Sequence, residues 1–203
     1  MANTIEIQGQ RLTPKGEATR ERIVAAAANL MNERGFAGTS TEDVKSAAGV
    51  SSSQVYHYFS DKKSLLRAVI AYQTDLVLGV QEPFLAKLDS IEALEAWRDF
   101  MVDYQNQRHC VGGCPMGSLA AELVERDADA RADFVVGFDR WVAGIRDGLQ
   151  SMQEHGHLHA DVDIERLAQA FLAAIQGGLF LSQTNRNTIA LKAVLDELID
   201  RVR

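Results

Sequence analysis

Two short helical stretches on either side of a tight turn constrain this chain more than any other feature. Thr41 to Ala48 (TEDVKSAA) reads as one helix, and Ser52 to Phe59 (SSQVYHYF) reads as a second. Between them stands Gly49-Val50-Ser51, in which Gly49 stops the first helix and Ser51 is placed to cap the second. Two helices joined by a three- to four-residue turn containing Gly form a helix-turn-helix, and the second helix fits the major groove of DNA. Val55, Tyr58 and Phe59 have the spacing to anchor that helix, which leaves Ser52, Ser53, Gln54, Tyr56 and His57 facing outward. A chain organised around such a unit binds DNA and uses the rest of its length to control that binding.

The flanking sequence extends the same helical pattern. Thr19 to Arg34 places Ile23, Ala27, Leu30 and Met31 on one face, and Gly35 ends the run. Thr39 and Glu42 have the spacing of a capping box for the helix that follows, with Val44 and Ala47 turned inward. Asp61 is placed to cap a helix from Lys62 to about Val80. Further helices are expected over Ile91 to Gln107, Met116 to Arg126, Ala128 to Glu154, Asp163 to Gln183 and Thr188 to Val202. The fold class is therefore all-α. The Asp163 to Gln183 helix is apolar on nearly all sides, so a partner subunit is its natural cover.

The charge is unevenly distributed. Residues 1–70 carry nine Lys/Arg and seven Asp/Glu, a net +2, while residues 71–203 carry twelve and twenty-one, a net −9. A small, weakly basic DNA-facing part joined to an acidic body fits this asymmetry, and charge alone does not provide tight non-specific binding. No apolar run reaches the roughly 18 residues of a membrane span, and the N-terminus lacks the apolar core of a signal peptide, so a cytoplasmic location is expected. No nucleophile elbow, phosphate-binding glycine loop or HExxH motif is present. The chain is expected to be no enzyme and to carry no cofactor.

Gly35-Phe36, Thr39-Ser40-Thr41, Val44, Ala48-Gly49-Val50-Ser51 and Tyr56-His57-Tyr58-Phe59, followed by Lys62, Leu65 and Leu66, form a pattern over residues 19–66. On these residues the chain resembles the tetracycline-repressor (TetR) family. The segment GCPMGSLAAEL, residues 113–123, is similar to the LmrA/YxaF-like multidrug regulators of that family. The resemblance implies about nine helices and a homodimer on a palindromic double-stranded DNA operator. It also implies a small-molecule effector that releases the operator. It divides the chain into a flexible tail over residues 1–18, a DNA-binding domain over 19–66 and a ligand-binding and dimerisation domain over 67–203.

Each residue role has a plainer competitor. In the resemblance, Ser40 and Thr41 stand where hydroxyls and helix-start amides meet phosphate, and Tyr56, His57 and Lys62 match phosphate-holding positions. Ser52, Ser53 and Gln54 occupy the base-reading end, although Ser51 and Gln54 also match a capping box in which Gln54 reads nothing. Trp97, Met101, Tyr104, Cys114, Met116, Phe134, Phe138, Trp141 and Phe171 are candidate pocket residues, with ordinary core packing as the alternative. Leu167, Phe171, Ala174, Ile175, Gly178, Leu179, Val194 and Leu198, on the last two helices, are the candidate dimer contacts. A different class of function is a thiol or metal sensor. Cys114 precedes Pro115 near a helix start, where a thiol pKa falls, and His155, His157 and His159 alternate in a turn. The plain readings are a small buried side chain and a solvated turn, with no metal bound.

Overall fold

The computed structural model describes residues 6–7 and 10–203. A two-residue antiparallel ladder pairs β1 (Glu6–Ile7) with β2 (Gln10–Arg11). Helices make up the remaining regular structure among the described residues: α1 (Pro14–Arg34), α2 (Thr41–Ala48), α3 (Ser52–Tyr58), α4 (Lys62–Gly79), α5 (Glu82–Leu85), α6 (Ile91–Gln107), α7 (Pro115–Leu123), α8 (Ala128–Glu154), α9 (Ile164–Asn185) and α10 (Ile189–Asp200). The one beyond the expected nine is α5, a single turn. α1 begins before the expected Thr19, so the last part of the expected tail is helical. Thr13 Oγ1 accepts from Gly16 N at 3.2 Å, and Pro14 occupies the first helical position, where its missing N–H costs nothing. Residues 1–5 and 8–9 of the expected tail lie outside the described residues.

Contacts divide the chain into two compact units. The first takes Met1–Gln73 with Leu119–Asp133, and the second takes Thr74–Ser118 with Phe134–Arg203. The first unit reaches beyond residue 66 in two ways. The first unit extends further into α4, and it includes the end of α7, the α7–α8 link and the start of α8.

In the first unit, α1 buries Ile23, Val24, Ala27, Ala28, Leu30 and Met31, and α4 buries Leu65, Leu66, Val69 and Ile70. α2 contributes Val44 and Ala48, a four-residue step along one helical face, while Ala47 is exposed. Val55 of α3 and Phe59 just after it close this small core. Arg22 Nε donates to Ala48 O at 3.0 Å and satisfies a carbonyl at the end of α2.

The second unit is built around Trp97, Met101, Trp141, Ile145, Leu149, Phe171, Ile175, Leu191 and Leu195. Each such side chain removed from water contributes about 1.5–3 kcal/mol. α9 and α10 pack closely because Gly178 faces α10: a Cβ there would lie 2.8 Å from Leu191 Cα. Ser90 and Asp163 cap α6 and α9 by accepting from Ala93 N at 3.2 Å and Arg166 N at 3.0 Å.

Candidate nucleic-acid interface

The turn between α2 and α3 is held by backbone chemistry that the residue types dictate. Gly49 adopts φ 62° and ψ 43°, a left-handed conformation that glycine takes without a Cβ penalty, and its N–H reaches Lys45 O and Ser46 O. Ser51 Oγ accepts from Gln54 N at 3.2 Å while Gln54 Oε1 accepts from Ser51 N at 2.9 Å. This reciprocal box fixes the entry of α3.

The cap of α2 differs from expectation by one residue. Ser40, not Thr39, is the N-cap, and Asp43, not Glu42, returns the bond: Ser40 Oγ accepts from Asp43 N at 3.1 Å, and Asp43 Oδ2 accepts from Ser40 N at 2.9 Å. Thr39 is buried, with its hydroxyl donating to Gly35 O at 2.8 Å, and Glu42 pairs with Lys45. Both spacings fit the same sequence pattern. The tertiary fold decides between them, because Thr39 closes the turn after α1. The Ser40 hydroxyl holds the Asp43 carboxyl below the usual carboxylate range.

Ser52, Ser53, Gln54, Tyr56 and His57 are all exposed on α3, and Tyr56, 58% exposed, is a large aromatic with no burial to explain it. The His57 ring meets Tyr58 edge-on at 4.9 Å. Gln54 has its carbonyl engaged in the capping box, so bidentate pairing with adenine requires that box to open. Thr41 is half-buried at the first position of α2. Lys62 is half-buried, donates from Nζ to Phe36 O at 2.6 Å and lies 4.1 Å from the centre of the Phe36 ring. Farther along α4, Lys63 pairs with Asp127 at 3.0 Å, and Arg67 pairs bidentately with Asp133 at 2.8 and 3.1 Å.

Residues 23–69 match the sequence model of bacterial regulatory proteins of the tetR family, and residues 90–198 match the tetracyclin repressor-like C-terminal domain. The chain belongs to the TetR family of bacterial transcriptional regulators. The transcriptional repressor KstR2 of Rhodococcus jostii (strain RHA1) is 35% identical over 166 residues, which cover 75% of this chain and 74% of that protein. The transcriptional regulator YxaF of Bacillus subtilis (strain 168) is 23% identical over 194 residues, 95% of this chain and 98% of that one. Among solved structures, a TetR transcriptional regulator from Chloroflexus aurantiacus J-10-fl superposes with a TM-score of 0.78 at 28% identity, covering 94% of this chain and 96% of that chain. The family consists of transcriptional regulators, not enzymes. No helix among the described residues is long and apolar enough to cross a membrane.

In this TetR-family chain Trp97, Met101, Cys114, Met116, Trp141 and Phe171 meet in one buried cluster, with Phe138 packed against its margin. Phe134 is buried, and Tyr104 is half-buried with its ring 5.7 Å from that of Phe100. Three buried polar atoms of this unit have no protein hydrogen-bond partner: Gln105 Oε1, Trp141 Nε1 and Ser182 Oγ. Sequence reasoning passed over Gln105 and Ser182. The signal was positional: Gln105 continues the buried stripe of Leu94, Trp97 and Met101, and Ser182 continues that of Phe171, Ile175 and Leu179.

The expected dimer positions divide by burial within the chain. Leu167, Phe171, Ile175, Gly178 and Leu179 are buried inside their own chain, and Ala174, Val194 and Leu198 are half-buried. The exposed apolar strip of α9 is Ala173, Gly177, Phe180 and Leu181, with Phe180 at 66% exposed. On a helix apolar all round, sequence does not say which stripe faces home; α10 covers the first stripe and leaves the second.

The thiol alternative loses its physical basis. Cys114 is buried, and burial pushes its thiol pKa up despite the N–H of Gly117 at 3.4 Å and the amide of Gln176 at 3.6 Å. The helix start is present, but desolvation of the thiolate outweighs it. Cys110 is also buried, and both thiols are free. His155, His157 and His159 are exposed, and among the described residues no group of His, Cys, Asp and Glu could hold a metal ion.

Proposed function

We propose that this chain is a cytoplasmic repressor that acts as a homodimer on a palindromic operator and lets go when a small molecule enters the interior of its second unit. The observation that carries the DNA-binding part is the exposed face of α3, presented by two helices whose caps are fully formed. Ser52 and Ser53 read base edges there, while Tyr56, His57, Ser40 and Thr41 hold phosphates. Lys62 anchors the turn before α2 and offers phosphate its remaining N–H groups. Gln54 serves chiefly as a cap.

The exposed strip Ala173, Gly177, Phe180 and Leu181 supports the dimer, since a partner helix laid along it removes this apolar surface from water. Two-fold symmetry then requires half-sites about one helical turn apart, or a multiple of that. The effector reading rests on Gln105, Trp141 and Ser182, whose unpartnered atoms are uncharged. The effector is then expected to be a neutral molecule with its own donor and acceptor, since burying an unpaired charge is costly. It must bind the two states unequally to shift them.

The test starts from a random double-stranded library. The wild-type chain is expected to enrich a palindromic duplex, and Tyr56→Phe or Lys62→Ala is expected to weaken binding to that duplex with little sequence bias. The Lys62 change also flattens the salt dependence by about one unit. Phe180→Glu is expected to yield a folded monomer with much weakened binding. A chain that enriches no duplex overturns the reading.

A further inference from the structure

Glu122 stands in the last turn of α7, inside the segment of residues 113–123 noted above, and belongs to the first unit. Its two carboxylate oxygens accept from consecutive backbone amides, Phe36 N at 2.8 Å and Ala37 N at 2.9 Å. Those amides lie in the link between α1 and α2. A Cβ on Gly35 would lie 2.8 Å from Glu122 Oε2, and Gly35 has φ +73°, so glycine both permits the turn and admits the carboxylate.

The same link is gripped from the other side. Phe36 O accepts from Lys62 Nζ at 2.6 Å, and Gly35 O accepts from the Thr39 hydroxyl at 2.8 Å. Phe36 is thus held through its N–H by α7 and through its C=O by the first residue of α4. The link ends at Ser40, the N-cap of α2. Every group that this carboxylate fixes leads within a few residues to a candidate phosphate contact: Ser40 and Thr41 along the chain, and Lys62 through Phe36.

We propose that Glu122 is a positioning residue for operator binding: its carboxylate fixes the α1–α2 link and, through it, the start of α2 and the Lys62 ammonium. This rests on the DNA-binding reading given above. Met116, earlier on the same helix, belongs to the core cluster of the second unit.

The experiment measures binding of a fluorescent duplex, enriched by the wild-type chain from a random library, by anisotropy across a salt series. Glu122→Gln still serves one amide and is expected to bind about tenfold more weakly. Glu122→Ala serves neither and is expected to lose about a hundredfold, the scale of one and two charge-assisted hydrogen bonds no longer made. Both variants flatten the salt dependence by about one unit, because phosphate contacts are misplaced. Glu122→Asp, which keeps the charge, restores part of the slope. A stoichiometric titration gives the active fraction, which is expected to stay at the wild-type level for Gln and Asp even if Ala folds poorly. Unchanged affinity in the Gln and Asp variants overturns the proposal, as does a loss accounted for by a lower active fraction at unchanged slope. If the wild-type chain enriches no duplex, the DNA-binding reading fails first and takes this proposal with it.

Discussion

Gly177 and Gly178 are neighbours on α9 with opposite surroundings, and the same substitution at each tests two separate claims. A Cβ on Gly178 meets both Leu191 Cα and Leu191 Cδ1 at 2.8 Å. The first is a backbone atom of α10, so relief requires the helices to separate and not merely a change of rotamer. Overpacking of this kind costs about 1–3 kcal/mol, and alanine returns about 1 kcal/mol of helix propensity. Gly178→Ala should therefore destabilise the protomer by about 0–2 kcal/mol, at about 2–4 °C of melting temperature per kcal/mol in a chain of this length. At Gly177 a Cβ meets nothing within 4 Å inside the chain. The protomer alone should then gain about 1 kcal/mol from Gly177→Ala. If α9 of a partner lies along Ala173, Gly177 and Leu181, the added methyl pushes the two helices apart and dimer affinity falls about tenfold. Urea melts at low and high protein concentration, paired with sedimentation equilibrium, separate the two effects. Gly178→Ala is expected to melt early at both concentrations, and Gly177→Ala late at the low one only. A Gly178→Ala melt stabilised by the full helix-propensity gain of about 1 kcal/mol would refute the close α9–α10 packing. A gain at every concentration for Gly177→Ala would move the partner off this strip.

Other outcomes follow from burial and charge. Cys110 and Cys114 are both buried, so a disulfide reagent should titrate them only after denaturant is added; prompt reaction of the native protein would revive the thiol-sensor reading. Asp43, Asp61 and Asp127 are held below the usual carboxylate range, mainly by hydrogen bonds from Ser40, Ser64 N and Ala130 N. Their folded pKa values lie under the unfolded ones, so their stabilisation is present above about pH 4 and is lost as pH falls through the folded values. Acid titration followed by circular dichroism should show Asp61→Asn and Asp127→Asn with a shallower fall in stability than wild type below about pH 4. A slope equal to wild type would mean these caps contribute nothing.

The helix-turn-helix was legible because its signals are local. Gly49 and Ser51 act on their own backbone, and the Ser51–Gln54 box needs only residues within one turn. The α2 cap was off by one for a related reason: Thr39 and Ser40 both suit the role locally, and only the burial of Thr39 against Gly35 O decides. Gly178 and Gly177 show the limit more sharply, since nothing in an apolar helix says which stripe α10 will cover. The partners of Glu122 were out of reach for sequence reading, although the segment that carries it was noted. They are backbone amides of a link far away along the chain, and a glutamate on an amphipathic helix otherwise reads as a solvated charge. Of the two readings of Cys114, the small buried side chain is the one the structure bears out, because burial outweighs the helix start.

The stretch Leu119–Asp133 also changes how the DNA-facing unit uses charge. It brings five acids and two bases to a part with net +2, which leaves that unit at −1. Two of those acids, Asp127 and Asp133, neutralise Lys63 and Arg67 on α4. Non-specific affinity for DNA scales with the number of phosphates neutralised, each steepening the salt dependence by about 0.9 unit. A near-neutral unit therefore has little non-specific affinity to fall back on, and on the proposed reading a misplaced Ser40 or Lys62 costs much of its hold on DNA. Such a unit can be switched by a small displacement, whereas a strongly basic one would stay bound through its charge. Replacing both acids, Asp127→Asn with Asp133→Asn, moves the unit from −1 to +1 and frees two exposed cations. Binding to a random duplex should strengthen several-fold at low salt with a steeper salt dependence, and the preference for the enriched duplex should narrow. Unchanged binding to random DNA would mean that Lys63 and Arg67 lie too far from the phosphates to matter, beyond the roughly 10 Å over which salt leaves charges effective.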